Sequence, residues 1–457
     1  MDNPHPSAIT TLAGGRLIAP LRPVTNSQGQ RIIGLCAQGT IRVVFESGAL
    51  APLGERNFRL LWFGQAVSAV GDSLVTIALA FATLSVAHSA TALGVVLAAS
   101  TIAQMVALPV GGVWSDRLPR QLVMLTSDGV RAAVHALMAV LLITGHAQLW
   151  QLIVQAVLYS FAGGFFLPAA GGLVPQTVSA QHLQQANALM GLSRSITQVG
   201  GPAVAGVLVA VFGPGWVFGL DAATFVVSAI SLALLRVPRV SGSARSSFWR
   251  ELKDGIGAVT SRTWYLLNLG AHALWNFGFA AFLVLGPIVA KQHLGGASAW
   301  GLIGAALGAG AVLGGLIALR IRPRRPLVVA NLVGVPAALM LLALAVPLPT
   351  GAIMAVCVFG WAGLTLLNEV WFATVPQLIP ADVLARATSF DWLLSIIAMP
   401  VGFAVSGPVA DHIGIQPTLV AAAVIMAVPL ILIVLVPGVR SVRRTSDGLI
   451  VAGAPRA

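Results

Sequence analysis

A few ionisable side chains lie inside long apolar stretches of this sequence. The clearest is Asp72, whose neighbours from 60 to 84 are almost all apolar or small. An ionised carboxylate is costly in an apolar environment, so a residue of this kind is a candidate for binding a proton or a cation. We predict that Asp72 takes part in proton coupling or in substrate binding. The alternative is a hydrogen bond to the backbone of a neighbouring helix.

Other polar residues in apolar stretches predict contacts rather than reactions. Asp128 and Arg131 are three residues apart, on one face of a helix, which favours a structural ion pair. Arg194 can attract an anionic substrate group or extend its charge to the membrane surface. Trp275 and Asn276 lie beside Phe277 and Phe279 and could line an amphipathic cavity, although aromatic residues that face lipid explain the same pattern.

The sequence contains no constellation typical of catalysis. It has no cluster with metal-ligand spacing, no glycine-rich phosphate loop with a lysine, and no nucleophile beside a positioned base. We therefore predict no catalytic residue, no metal and no cofactor. A transport cycle in such a protein would be driven by an ion gradient. Asp221, in another apolar stretch, is predicted to be structural.

The elements that carry these residues are predicted to be membrane-spanning helices. Of the 457 residues 57% are hydrophobic and only 9% are charged, whereas a soluble domain has about 25% charged residues. Stretches of roughly 20 apolar residues are long enough to cross a bilayer. The predicted fold is an all-α membrane protein with about twelve transmembrane helices. They are Arg59–Leu84, Thr91–Trp114, Leu122–Thr144, Leu149–Ala170, Ala188–Phe212, Gly215–Leu235, Trp264–Val289, Ala299–Leu319, Leu327–Val346, Gly351–Phe372, Thr388–Asp411 and Ile415–Val436.

The distribution of basic residues predicts how the chain is oriented. A net charge of +12 would suggest nucleic acid as the partner of a soluble protein. Here the arginines fall in alternate loops, which is the pattern of loops that stay in the cytoplasm. Both termini are therefore predicted to be cytoplasmic, in a multi-pass protein of the cell membrane. We find no cleavable signal peptide, so the first span would direct insertion.

The span list divides the chain into two halves of six spans. The predicted segments are a disordered cytoplasmic tail at 1–56, a six-helix bundle at 57–236, a cytoplasmic linker at 237–263, a second bundle at 264–436 and a cytoplasmic tail at 437–457. Within the linker, Phe248–Val259 could form an amphipathic surface helix.

The two halves resemble each other at an offset near 200 residues. The tripeptide Val174–Gln176 recurs at 375–377, and Gly201 and Gly206 recur as Gly402 and Gly407. We interpret these matches as parallel six-helix repeats, related by an axis along the membrane normal.

One loop carries the strongest family resemblance. Gly111 and Gly112 precede Asp116, Arg117 and Arg120 between the second and third spans. Glycine permits close helix approach, and an aspartate is favoured at a helix N-terminus. This arrangement resembles the signature loop of the major facilitator superfamily. The resemblance implies that the loop latches the two halves in an outward-open state, against the start of the eleventh span.

The resemblance also implies partners and a mechanism. Glu369, Arg386 and Asp391 are the predicted gate partners of the loop. The family often places an acid in the fourth span to receive a loop arginine, and this sequence has none there. Gly200, Gly201, Pro202 and Gly206 resemble the antiporter motif of the superfamily, with Ala205 in place of one glycine. The proline is expected to bend the helix, and the small residues are expected to permit close packing.

The start of the first half resembles one branch of the superfamily. Asn57 to Gln65, followed by Gly71 and Asp72, is similar to the drug and siderophore exporters that include macrolide efflux pumps and the enterobactin exporter. This implies a proton-coupled antiporter that exports a small amphipathic or hydrophobic molecule by alternating access. Its partners would be the substrate, protons and the bacterial membrane, without nucleic acid, and the protein would act as a monomer. A lipid flippase or a solute importer of the same fold, and a non-transporting sensor or scaffold, are the alternatives.

Overall fold

The computed structural model describes residues 24–25, 31–32, 48, 50–237, 260, 262–346 and 348–452. The side chains of Asp116, Ala381, Asp382, Ala385, Arg386 and Ser389 are outside the described part, as are the predicted helix Phe248–Val259 and most of the predicted N-terminal tail. Within the first 48 residues, Val24–Thr25 pairs with Arg31–Ile32 in an antiparallel arrangement. Residues Ala49–Ala457 form a separate compact unit, and everything below concerns that unit.

Twelve helices of this unit are long and apolar enough to cross a membrane, as the sequence predicts. Spans 1 to 6 are Arg56–Val86, Ala90–Arg117, Arg120–Ile143, Leu149–Thr177, Leu183–Phe212 and Pro214–Ala233. Spans 7 to 12 are Thr263–Val289, Ala297–Ala318, Pro326–Ala345, Thr350–Leu378, Ala381–Ile413 and Ile415–Ile433.

Local sequence explains where several of these helices begin, end or break. Gly213 adopts a φ of 82° between spans 5 and 6, and Gly414 adopts a φ of 93° at the equivalent place between spans 11 and 12. Glycine takes this conformation without strain, so each acts as a sharp helix stop. Span 9 is interrupted by a 3-10 turn at Val335–Ala338, where Pro336 removes a backbone donor. Span 11 is interrupted at Ile397.

Because consecutive spans alternate in direction, spans 1, 3, 5, 7, 9 and 11 all begin at one end of the bundle. This end carries Arg117 and Arg120 at the connection between spans 2 and 3, and Arg320, Arg322, Arg324 and Arg325 after span 8, and we call it the basic end. The other end is called the opposite end.

The internal repeat is confirmed by the packing of matched glycines. Gly201 of span 5 lies against Ser73 of span 1, and its counterpart Gly402 of span 11 lies against Phe277 of span 7. Spans 1 and 7 are themselves counterparts, so each half positions its fifth span on its first span by the same contact.

A second matched pair of glycines joins the halves to each other. Gly206 of span 5 packs on Ala297 at the start of span 8, and Gly407 of span 11 packs on Thr91 at the start of span 2. A Cβ built on Gly206 would lie 2.5 Å from the Ala297 carbonyl oxygen. The two interfaces are therefore related by the repeat, and each requires a residue without a side chain.

These contacts between the halves concentrate toward the opposite end. Thr91 Oγ1 donates a 2.8 Å hydrogen bond to Asp411 Oδ2, between the start of span 2 and the end of span 11. Gly94 packs on Phe403, and Gly301 packs on Pro202. Every glycine of the described residues that touches the other half does so in this region or near mid-depth. The bundle is therefore closed at the opposite end.

The C-terminal segment, predicted only as a tail, forms an ordered hairpin. Val442–Arg444 pairs with Ile450–Ala452. The Ile450 amide donates to Gln377 Oε1 at 3.1 Å, at the end of span 10, and the Arg444 amide donates to the Arg324 carbonyl at 2.9 Å. The hairpin is thereby fixed to the basic end of the second half.

The part of the predicted N-terminal tail next to span 1 is also ordered. Ala51–Gly54 form a 3-10 turn, and Glu55 follows it. Hydrogen bonds from His182 (2.9 Å) and Ser179 (2.8 Å) hold the pKa of Glu55 below its usual range. These bonds tie the start of span 1 to the connection between spans 4 and 5.

Candidate functional site

Asp72 lines a cavity of about 440 Å³ in the first half. The cavity is enclosed by spans 1, 3, 4 and 5, and Arg194 is among its lining residues, as predicted for a cavity position. Asp72 is half-buried and accepts a short hydrogen bond from the hydroxyl of Tyr159 in span 4. A carboxylate at this depth is open to water on one side and to protein on the other.

Arg131 supplies a positive charge beside this carboxylate. It is buried, and its guanidinium carbon lies 4.5 Å from the ring centre of Phe225 and 5.1 Å from those of Tyr159 and Phe166. Aromatic faces attract a guanidinium group, so three rings hold the charge in place without forming hydrogen bonds. Arg131 Nε and Nη1 are buried without a hydrogen-bond partner among the described residues.

The ion pair predicted from the spacing of Asp128 and Arg131 is present, with 3.6 Å between Oδ1 and Nη1. Asp128 is fully buried, and its Oδ2 accepts a 2.6 Å hydrogen bond from Ser228 of span 6. Ser228 accepts in turn from Gln65 of span 1 at 3.2 Å. A buried carboxylate is stable only with such partners, and this chain of contacts supplies them.

His135 extends the cluster into span 6. Its ring is fully buried and stacks on the ring of Tyr159, with 4.5 Å between centres. His135 Nδ1 lies 2.5 Å from Asp221 Oδ2, and Nε2 lies 2.9 Å from the amide nitrogen of Gln155. Neither His135 nor Tyr159 is predicted from the sequence as a site residue, and Asp221 is predicted there only as structural.

A periodic signal could have found these residues. Asp128, Arg131 and His135 are spaced i, i+3 and i+7, so they form one polar stripe on span 3. Gln155 and Tyr159 are four apart on span 4. Stripes of this kind in otherwise apolar helices indicate helix faces that meet one another, because lipid-facing polar groups would be unsatisfied.

The second half contains a separate cavity of about 360 Å³, lined mainly by aromatic residues. The predicted cavity residues Trp275 and Asn276 both line it. Trp275 Nε1 is buried without a hydrogen-bond partner among the described residues. The remaining wall comes from spans 7, 10 and 11 and includes His272, Phe279, Trp361, Trp371, Asp391 and Trp392.

Asp391 was predicted as a gate residue, but the structure places it in this cavity. It is 7% exposed, and its Oδ2 accepts hydrogen bonds from Trp371 Nε1 at 2.8 Å and from the Tyr265 hydroxyl at 3.1 Å. The other predicted gate acid, Glu369, is exposed and has no hydrogen-bond partner among the described residues. The side chain of Arg386, the third predicted partner, is outside the described part.

The contacts described for the signature loop include two with span 4. Arg120 Nη1 donates a 2.6 Å hydrogen bond to the carbonyl oxygen of Gly172. This carbonyl takes the place of the acid that the family often has in span 4. Gly111 packs on the Gly164 carbonyl of span 4, whereas Gly112 has no neighbour within 4 Å. Arg117 is exposed, and the side chain of Asp116 is outside the described part.

The contact between Arg120 and Gly172 leads to a stability prediction. A Cβ at Gly172 would overlap the Arg120 guanidinium group, so Gly172→Val must displace it. A hydrogen bond to a charged donor contributes about 1.5–3 kcal/mol, and we expect a loss of that order. Thermal unfolding of the purified protein in detergent would measure it. Gly171→Val is the matched control, because a Cβ at Gly171 meets nothing within 4 Å. Equal melting temperatures for the two variants would contradict the prediction.

Comparison with known proteins matches most of the chain to one family of membrane proteins. The family model for transmembrane secretion effectors matches residues 47–446. Macrolide efflux protein A of Streptococcus pyogenes is 22% identical over 367 residues, which cover 79% of this chain and 91% of that protein. Enterobactin exporter EntS of Salmonella choleraesuis is 26% identical over 387 residues, with coverages of 82% and 90%.

A solved structure shows the same fold. It is a bacterial homolog of the human lysosomal transporter Spinster, in an inward-facing and unoccupied conformation. It aligns with a TM-score of 0.63 at 14% identity and covers 83% of this chain and 96% of the other.

Proposed function

The chain belongs to the transmembrane secretion effectors, a family of major facilitator transporters, and from this premise we propose that it is a proton-coupled exporter of small amphipathic molecules. The basic end would face the cytoplasm, because arginine-rich loops stay on that side. Both termini would then be cytoplasmic. Each copy contains both halves and both cavities, so we propose that the monomer is the working unit.

The observation that carries this proposal is the position of the two cavities relative to the closed end. Asp72 and the residues of span 5 from 190 to 198 line one cavity, and Asp391 and the residues of span 10 from 361 to 372 line the other. Both lie between mid-depth and the basic end, whereas the halves are closed at the opposite end. This arrangement fits one state of an alternating-access cycle, in which the substrate enters from the cytoplasm.

Asp72 is the proposed coupling residue. It is in contact with the cavity, and it can accept or lose a proton as water reaches that cavity. Asp72 accepts a hydrogen bond from Tyr159 of span 4 and lies near the charge of Arg131 of span 3. A change in the charge of Asp72 would therefore alter the packing of spans 1, 3 and 4. A proton on Asp72 would therefore favour one arrangement of the first half over another, which is the requirement for coupling.

The cavity of the second half is the proposed substrate site. Aromatic walls bury an apolar body, and the carboxylate of Asp391 with the amides of Asn276 and Asn368 provides the few polar contacts that fix orientation. Since aromatic faces and a carboxylate both attract cations, the favoured substrate is an amphipathic molecule with a positively charged nitrogen. The efflux and siderophore activities in the names of the relatives are compatible with a small-molecule cargo.

Transport by purified protein in proteoliposomes tests this function. A radiolabelled macrolide, ethidium and chloramphenicol would serve as probes, with an imposed pH gradient and the membrane potential clamped at zero. We expect proton-driven accumulation of at least one probe. Accumulation of none of them, in vesicles that contain folded protein, would count against a proton-coupled exporter. Driven movement of labelled phospholipid instead would favour the flippase.

The substrate site leads to a selectivity prediction. Asp391→Asn keeps the hydrogen-bond acceptor for Trp371 and Tyr265 but removes the charge. We expect transport of the cation ethidium to fall about tenfold, since a partly desolvated charge pair is worth roughly 1–2 kcal/mol. Transport of the neutral probe chloramphenicol should change less than twofold. Initial rates in the vesicles above would measure both. Glu369→Gln, which neutralises an exposed acid on the neighbouring span, is the control. A parallel loss of both probes in Asp391→Asn would exclude charge recognition at this site.

A further inference from the structure

The buried cluster of the first half has more negative than positive charge. Within the described residues, it contains the carboxylates of Asp72, Asp128 and Asp221 and one guanidinium group, that of Arg131. Asp72 lies at the cavity, so the buried charges are those of Asp128, Asp221 and Arg131. With both buried acids ionised and His135 neutral, two negative charges face one positive charge. Uncompensated charge is strongly disfavoured in such a site, so the buried part of the cluster favours binding one proton, besides the one proposed for Asp72.

Asp128 has two partners for its ionised form. It pairs with Arg131 at 3.6 Å and accepts a 2.6 Å hydrogen bond from Ser228, and both contacts favour that form. The proton of the buried part is therefore assigned to the pair formed by His135 and Asp221, which is fully buried. Asp72, at the cavity, is the other site.

The surroundings of His135 can accommodate both of its protonation states. Gln155 turns its amide nitrogen toward His135 Nε2, which suits a neutral ring that donates from Nδ1 to Asp221. In this orientation Gln155 Oε1 is buried without a partner among the described residues. A half-turn of the amide would bring Oε1 to Nε2, where it would accept a hydrogen bond from an imidazolium. The unpartnered oxygen is the acceptor that the protonated ring requires.

Among the described residues that contact His135, Asp221 and Tyr159 are the titratable ones. Span 4 contributes Gln155 and the stacked ring of Tyr159, and span 6 contributes Asp221 with the edges of Phe218 and Phe225. Arg131 lies one turn away on span 3, over the other side of Tyr159. Tyr159 thus contacts His135 through its ring and Asp72 through its hydroxyl.

Span 1 brings the two proton sites close together. A Cβ built on Gly71 would overlap Asp221 Oδ1 and Thr224 Oγ1, so Asp221 packs against the backbone of span 1 at the residue before Asp72. Two consecutive residues of span 1 therefore contact the two sites. A change in the charge of either site acts on the same turn of helix.

We propose that His135, Asp221 and Gln155 form a second proton-binding site of the transporter, located behind Asp72 and out of contact with the substrate. This inference rests on the proposed function, because it concerns the number of protons exchanged in the same cycle. His135 acts here as a positioning and proton-storing residue. In this proposal both protons enter through Asp72, which lines the cavity, because His135 is fully buried. One proton stays on Asp72 and the other passes to the imidazole, and both leave when the cluster opens to the other side.

The number of protons exchanged per substrate molecule can be measured from the substrate accumulation that a pH difference supports. At zero membrane potential, each exchanged proton supports about tenfold accumulation of substrate per unit of pH difference. Two protons therefore support about a hundredfold and one proton about tenfold. His135→Asn retains a donor for Asp221 but cannot bind a proton. We expect accumulation at one unit of pH difference to fall about tenfold in this variant, for whichever macrolide, ethidium or chloramphenicol probe the unaltered protein accumulates.

His412→Asn, the same change at an exposed histidine, is the control and should keep the steeper gradient. An unchanged gradient in His135→Asn overturns the second site and leaves the exporter function intact. Absence of proton-driven accumulation in the unaltered protein removes both proposals together.

A second measurement decides the question if His135→Asn is inactive. Nitrogen-15 spectra of histidine-labelled protein in detergent would identify the His135 signal by its loss in the variant. We expect this signal to change from the neutral to the charged form as the pH is lowered while the protein stays folded. A signal that stays in one form throughout overturns the proposal.

Discussion

Replacing Asp72 with asparagine is expected to abolish proton-driven export while the protein stays folded. Asparagine has the same shape and still accepts the hydrogen bond from Tyr159, but it cannot bind a proton. Substrate accumulation at one unit of pH difference should fall from at least about tenfold to about one, the value of a passive pathway. Accumulation in proteoliposomes at clamped membrane potential is the measurement.

Two comparison variants make the result for Asp72 specific. Asp447→Asn changes an exposed acid of the C-terminal hairpin and should transport normally. Asp128→Asn breaks the partnership with Arg131, so its effect should appear as reduced thermal stability. If the Asp72→Asn variant still accumulates substrate against its gradient, proton coupling depends on another residue of the cluster.

A large side chain at Gly206 is expected to prevent closure of the opposite end. A Cβ there would lie 2.5 Å from the Ala297 carbonyl and 3.0 Å from the Gly301 Cα, and neither backbone atom can rotate away. Overpacking of this kind costs about 1–3 kcal/mol, so the closed population should fall by a factor of roughly 5 to 150. Gly206→Leu should therefore lose most of its transport activity.

Distances between spin labels would detect the shift caused by Gly206→Leu. Labels at His146 and Leu348 report on the two halves at the opposite end, in a protein whose own cysteines, Cys36 and Cys357, are replaced. We expect the distribution to move to longer distances. Gly200→Leu is the matched control in the same motif, because Gly200 is exposed and a Cβ there meets nothing within 4 Å. A distribution that is identical in both variants would rule out this role for Gly206.

Much of the fold could be predicted from the sequence, because a bilayer imposes length and composition on every helix. The twelve spans, the two repeats and the roles of Gly201 and Gly206 as packing positions follow from apolar length and from repeated small residues. The ordered hairpin at Val442–Ala452 could not be predicted in the same way. Its strands are short, and they are stabilised by contacts with Gln377 and Arg324, which are distant in sequence.

The site was predictable in part. Asp72 stands out because a charge in an apolar span has few explanations. His135 and Tyr159 stand out only as members of polar stripes on spans 3 and 4, and a stripe does not reveal which residues it meets on another helix. Asp391 was assigned to the gate because it lies near the start of the eleventh span, where the resemblance places the partner of the signature loop. Its actual partners, Trp371 and Tyr265, come from two other spans, and only the three-dimensional packing brings them together.

The hydrogen bond between Thr91 and Asp411 has a practical consequence for trapping the transporter. His88 and His412 are exposed on either side of it and belong to different halves. The surface around them exists only while the opposite end is closed. An antibody fragment selected against this composite epitope would recognise a single conformation. It would inhibit transport without entering either cavity, and it would add the rigid mass that a small membrane protein needs for image alignment in electron cryomicroscopy.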